Sequence, residues 1–222
     1  MPAYDRFVNT DRKAISFNIG QEILLEMEKV IRDSRVTPFQ FTIATFALLI
    51  YSIKERKDMF ITFPNTNRVD KDFENVVGWL LGSTYLQTNI NESISFEHFL
   101  SLIEREIDLA LKYSFYPIDY ALEGTNIHSK YDISSLFLNF HYSSSQKIAD
   151  FTGFKHYKNY RNGLFDLNCF VDYCSTSMNV SCTYCTEYSS DEMEYYFQFY
   201  IKMLEKLINN PNLRLRQILA NE

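Results

Sequence analysis

At 222 residues the chain is long enough to bury a sizeable core without a disulfide or metal staple, so one folded unit is expected over residues 1–222. Hydrophobic residues make up 46% and charged residues 23%, the balance of a soluble globular protein and not of a disordered or fibrous one. A formal net charge of −6 and a pI near 5.3 repel a phosphate backbone, which excludes nucleic acid as an expected partner.

The first six residues lack the apolar run of a secretory signal, so the chain reads as cytoplasmic. Ile15, Phe17 and Ile19 alternate with Ser16 and Asn18, which predicts a short half-buried strand closed by Gly20. Ile23, Leu24, Met27, Val30 and Ile31 then recur at helical spacing and predict an amphipathic helix over 21–34. Thr37, Pro38 and Gln40 form a helix start with a capping box, opening a helix over 38–56. That helix is apolar nearly all round, so Phe46 and Ile50 are expected at the centre of the core. Gln40, Thr42, Thr45 and Ser52 interrupt it, and it falls short of the ~20 apolar residues that cross a bilayer, so no membrane partner is expected.

Met59 to Phe63 reads as a buried strand that Pro64 ends, and a loop then leads through Trp79 into a strand over 83–89. Ser95 caps a helix over 95–113 whose apolar face runs from Phe96 to Leu111 and which Pro117 must terminate. Residues 136–142 read as a strand, and 143–163 as a long polar connection of the kind that often carries function. Two alternating segments, 164–173 and 178–187, predict an antiparallel hairpin turning at 174–177. Ser189 and Glu192 cap a last helix over 190–209. Four long helices mixed in order with about six strands predict an α/β fold, a two-layer sandwich of helices on a mixed β-sheet.

Few of the reactive side chains make a chemical pattern. Cys182 and Cys185 have CxxC spacing, but residues three apart on a strand point to opposite faces, as do Cys169 and Cys174 five apart. Core packing as free thiols is therefore expected in a reducing compartment, and no metal. His98, His128, His141 and His156 belong to no HExxH or doubled-histidine motif, and no GxSxG, P-loop or GxGxxG occurs, so no catalytic residue is assigned. Asp70, Asp72 and Glu74 read as solvated. Lys155, His156, Tyr157, Lys158 and Arg161 interleave cations with aromatic rings, which suits a phosphate, a phosphopantetheine arm or a protein surface.

Read in order, Pro64 to Arg68, Val77 to Ser83, Tyr113 to Asp119, Ser135 to Phe137, Phe165 to Leu167 and Asn210 to Asn212 resemble successive landmarks of one family. They are similar to the P-x-x-N-R, IGFFVNT, HQDLPFE, PLF and closing segments of the C-terminal lobe of nonribosomal peptide synthetase condensation domains, a chloramphenicol acetyltransferase-like lobe. Gly82 and Ser83 stand where that family usually has Asn and Thr, and Tyr113 to Phe115 replace His-Gln-Asp. The family's HHxxxDG motif, whose second histidine assists attack of an acceptor amine on a donor thioester, belongs to the other lobe and does not occur here.

The resemblance implies a lobe that forms one wall of the tunnel where an amide bond is made between carrier-bound acyl and aminoacyl units, and that is inactive alone. Asn67, Arg68, Trp79, Gly82 and Ser83 would line the tunnel. Lys155, Tyr157, Lys158 and Arg161 would touch the N-terminal condensation lobe or a peptidyl carrier protein, with residues 79–84 and 143–163 shaping one shared surface. No cofactor would bind directly, only the phosphopantetheine arms of the carriers. A catalytically silent interaction platform, and a related acyltransferase acting on an alcohol or a coenzyme A ester, are the competing expectations.

Overall fold

The computed structural model describes residues 11–68, 71–116, 118, 120, 136–143, 155–161 and 165–220. In chain order the elements are β1 (Asp11–Ile19), α1 (Gln21–Asp33), α2 (Pro38–Lys54), β2 (Asp58–Asn65), a 3-10 turn (Lys71–Phe73), β3 (Gly82–Asn89) and α3 (Phe96–Lys112). There follow β4 (Leu136–Tyr142), β5 (Lys155–Arg161), β6 (Leu167–Cys174), β7 (Ser177–Cys185), α4 (Ser190–Asn209) and a five-residue α5 (Leu215–Leu219).

The expected helix starts are present as hydrogen bonds. Gln40 N donates to Thr37 Oγ1 at 3.2 Å while Thr37 N donates to Gln40 Oε1, and Ser189 and Glu192 repeat the same reciprocal box. Ser95 Oγ accepts from His98 N at 3.2 Å. Helix α2 is buried continuously from Phe41 to Ile50, and its polar side chains are satisfied inside the core. Thr45 Oγ1, for example, lies 3.0 Å from the fully buried Tyr200 hydroxyl of α4.

Seven strands form one mixed sheet in the order β3-β2-β4-β6-β7-β1-β5, with β2, β4 and β6 mutually parallel and the other neighbours antiparallel. The helices α1 to α4 share a core with one face of this sheet, through Ile15, Phe17, Ile61, Leu138, Val171 and Val180 among others. The opposite face carries cross-strand polar pairs, including Ser16 Oγ with Ser181 Oγ at 2.9 Å. This is the expected two-layer arrangement of helices on a mixed sheet.

Four details differ from the sequence reading. Pro64 lies inside β2 rather than after it, beyond Ile61 and Thr62 where β4 pairs, so its missing N–H interrupts no ladder on that side. The seventh strand, β5, occupies part of the segment expected as a connection and pairs along β1. The hairpin turn is tighter than expected, because Cys174 and Ser177 pair directly and only Ser175 and Thr176 turn. Finally, Cys169 and Cys182 are not free thiols: they face each other across β6 and β7, 4.1 Å apart at Cα, and are joined as a disulfide. Spacing within one strand was a sound argument against a four-thiolate set, but the partner of Cys169 comes from the next strand. Cys174 and Cys185 remain free and buried.

No single helix among the described residues is long and apolar enough to cross a membrane.

Candidate functional site

Exposed apolar side chains concentrate at one corner of the sheet. Val77 is fully exposed and Trp79 is 85% exposed, with Phe73, Val76 and Leu81 beside them on the connection from β2 to β3. Tyr113, Phe115 and Tyr116, at the C-terminal end of α3, are also exposed. The two segments meet where Asn65 Nδ2 donates to Ser114 Oγ at 2.9 Å. A groove of about 490 Å³ between β3 and the end of α3 continues the surface and is lined by Ser83, Tyr85, Leu109, Tyr113 and Tyr116 among others. A solvated apolar corner of this kind is the sort of surface that interaction sites use.

The sequence fixes this corner through backbone bracing. Asn67 takes φ 53°, a left-handed conformation that asparagine tolerates better than most residues. Its Nδ2 donates to Leu80 O at 3.0 Å and its Oδ1 accepts from Asn65 Nδ2 at 3.0 Å. Arg68 is committed in the same way, with its guanidinium donating to Phe73 O and, at 3.1 Å, to Val76 O. Asn67 through Nδ2 and Arg68 through Nη1, both expected to line a tunnel, thus hydrogen-bond the loop that carries Val77 and Trp79.

Gly82 belongs to the same network. A Cβ at this position would lie 2.5 Å from Asn67 Nδ2, so the Asn67 amide fills the space that a side chain at 82 would take. The Asn expected by resemblance at 82 does not fit while Asn67 keeps this position. Gly82→Ala is expected to displace Asn67 from Leu80 O and cost about 1 kcal/mol, the worth of a hydrogen bond. Differential scanning calorimetry should then read a Tm fall of about 2–4 °C.

Of the expected tunnel residues, the structure therefore brings Asn67, Arg68, Trp79, Gly82 and Ser83 to one corner. Lys155, Tyr157, Lys158 and Arg161 lie elsewhere. They belong to β5, the edge strand opposite β3, six strand spacings or roughly 29 Å away at about 4.8 Å each. The single surface expected from residues 79–84 together with 143–163 is corrected accordingly, since β5, which holds most of the described part of the second segment, is at the far edge. Residues 144–154, 162–164, His128 and Ser129 lie outside the described residues.

A second polar cluster, which sequence reasoning missed, lies at the end of α2. Arg12 is 1% exposed, and its Nη2 donates to Phe165 O, Asp166 O and Thr183 O. Asp166 pairs with Lys54, and both side chains are mostly buried. Burial lowers the Arg12 pKa, opposed by its neighbours Cys185 and the Asp166 carboxylate. Such a cluster braces β1, α2 and the entry to β6. Hydrogen bonds from Thr176 and Ser177 pull the Cys174 thiol down to about 7. His141 Nδ1 sits 3.3 Å from Asp172 Oδ1 with both side chains exposed, and no other described acid or base is placed to assist it. Among the described residues no group of three or more His, Cys, Asp or Glu side chains could hold a metal ion.

Comparison with known proteins gives this geometry a context. A family profile described as "Condensation domain" matches residues 4–221. Gramicidin S synthase 2 of Brevibacillus brevis is 21% identical over 214 residues, 94% of this chain and 5% of that protein. The first condensation domain of the CDA synthetase superposes with a TM-score of 0.69 at 14% identity, covering 98% of this chain and 52% of that one. The complex of the X-domain and OxyB from teicoplanin biosynthesis gives a TM-score of 0.75 at 11% identity, covering 95% and 49%. The chain thus spans a small fraction of its curated relative and about half of the solved chains.

Proposed function

The chain belongs to the condensation-domain family, and on that footing we propose that it is the C-terminal lobe of a nonribosomal peptide synthetase condensation domain. In this reading residues 1–222 form one lobe, working in the cytoplasm against an N-terminal lobe that carries HHxxxDG. The observation that carries the reading is the exposed apolar corner around Trp79, on a chain about half as long as the condensation domains it resembles in fold. The missing half is the natural occupant of that corner.

The chemistry is transfer of a carrier-bound acyl group to a carrier-bound amine. A carbon–nitrogen bond forms, the thioester carbon–sulfur bond breaks to release the donor arm's thiolate, and the proton lost by the amine passes by way of a base on the other lobe to that thiolate, leaving a free pantetheine thiol. This lobe contributes orientation and exclusion of water, with Trp79, Gly82 and Ser83 on the tunnel side. The phosphopantetheine arms arrive on peptidyl carrier proteins, and the basic, aromatic β5 edge, with Lys155, Tyr157, Lys158 and Arg161, is a separate contact for a carrier or for the first lobe.

Reconstitution tests this directly. The purified chain is expected to yield no amide product from loaded carriers, and product should appear when a separately produced N-terminal lobe is added. Product from this chain alone, or none from the pair despite association, would defeat the reading. The alternative, a silent interaction platform, is favoured by the Gly82-Ser83 and Tyr113-Ser114-Phe115 departures and by the similarity to an X-domain solved in complex with another protein. Association with the first lobe without product is the result that reading predicts.

A further inference from the structure

We infer that Asn67 and Arg68 are positioning residues that hold the Val77–Leu81 loop as a preformed docking surface for the first lobe, and that neither touches substrate. The inference rests on the lobe reading above for its partner, and on hydrogen bonding for its mechanism.

The described part of the β2–β3 connection contains only one short 3-10 turn, yet it carries the most exposed large apolar side chains among the described residues, Val77 and Trp79. A loop of this kind loses much entropy on docking unless it is ordered beforehand. Two cross-braces supply that order. Arg68 binds the near part of the loop through Phe73 O and Val76 O, with a longer 3.5 Å approach to Glu74 O. Asn67 binds the far part through Leu80 O. The base of the braces is itself anchored, since Asn65 Oδ1 accepts from Asn67 N at 3.2 Å and Asn65 Nδ2 reaches Ser114 on α3. Ser114 in turn donates to Leu111 O at 2.9 Å, so the apolar turn at Tyr113 to Tyr116 and the Trp79 loop are fastened to one frame.

The competing assignment makes Asn67 and Arg68 substrate contacts. Against it, the Asn67 amide donates to one backbone carbonyl, its oxygen is taken by a neighbouring amide, and the Arg68 donors described are directed at loop carbonyls. For Asn67 a substrate contact would require breaking these bonds first, and for Arg68 Nη1 likewise.

The sequence contains one tryptophan, Trp79, which makes the loop its own probe. Time-resolved anisotropy of Trp79 is measured in the wild type, Asn67→Gly, Arg68→Ala and Arg68→Lys, alongside Tm and affinity for a separately produced first lobe. Asn67→Gly removes the amide and keeps the positive φ accessible. The expected result is faster nanosecond motion of Trp79 in Asn67→Gly and Arg68→Ala, with about tenfold weaker association and partial recovery in Arg68→Lys. With the first lobe saturating, KM for loaded carriers should return to the wild-type value.

Unchanged Trp79 motion and lobe affinity, with or without a raised KM, would overturn the inference, and a raised KM would reassign the two residues to substrate. If even the wild type fails to bind a first lobe, the lobe reading falls instead. The bracing role is then judged on anisotropy alone, where unchanged motion in both variants sinks it.

Discussion

Asp166→Ala is expected to lower the stability of the chain by about 3–5 kcal/mol, the range found when one partner of a buried ion pair is removed. Asp166 is the carboxylate that the structure sets against Lys54, and the Arg12 guanidinium lies under the same segment, donating to the Asp166 carbonyl. Removing it leaves Lys54 without its ion-pair partner in a mostly buried site. Arg12 loses a compensating charge as well, with its Nε and Nη1 already without a hydrogen-bond partner among the described residues. For a chain of this size the Tm should fall by roughly 10 °C in a thermal melt. The double variant Lys54→Met/Asp166→Leu separates charge from packing: it should recover part of the loss, because apolar replacement of both partners is often neutral or better. A Tm within about 2 °C of wild type for Asp166→Ala would show that the cluster is not a structural brace.

Trp79→Ala is expected to do the reverse, leaving the fold intact while weakening first-lobe association about thirtyfold or more. Its side chain is 85% exposed, so its loss removes almost no packing within the chain. On docking it would become a desolvated aromatic anchor, a type that commonly contributes about 2 kcal/mol or more to binding. Isothermal titration against the isolated first lobe, paired with a melt, measures both halves of this statement. Equal affinity of variant and wild type would remove Trp79 from the interface. Full disruption of folding would instead mean that the loop packs inward.

The helices were legible because their ends are written in side chains. Thr37 with Gln40, Ser95, and Ser189 with Glu192 each cap a helix within a residue of the expected start. The sheet was less legible. Strand β5, with the sequence Lys155-His156-Tyr157-Lys158-Asn159-Tyr160-Arg161, has no alternation of apolar and polar residues, so nothing local distinguishes it from a solvated loop; β1 supplies its pairing. The disulfide escaped for a related reason, since Cys169 and Cys182 meet only through the register of two strands. Helix α5 is too short for periodicity, and it is secured by Leu215 N and Arg216 N donating to Ile94 O and Glu92 O. At the candidate site, Trp79, Gly82 and Ser83 drew notice through the family resemblance. The duties of Asn67 and Arg68 could be read only once Leu80, Phe73 and Val76 had positions.

Strand β1 lies between β7 and β5, and its Ser16 meets a Ser181 that is 165 residues later in the chain. During synthesis, then, Ile15 and Phe17 emerge well over a hundred residues before the β7 strand that pairs beside them. Topologies closed by such distant pairings fold slowly, because loop entropy is lost before contacts compensate for it. Helices α1 and α2 can form and gather early, but the sheet cannot close until β7 leaves the ribosome. A chain cut short of β7 keeps the caps of α1, α2 and α3, loses those of α4 and α5, and still has no strand to lie beside β1 on that side. The fold is therefore committed at its end, not at its beginning.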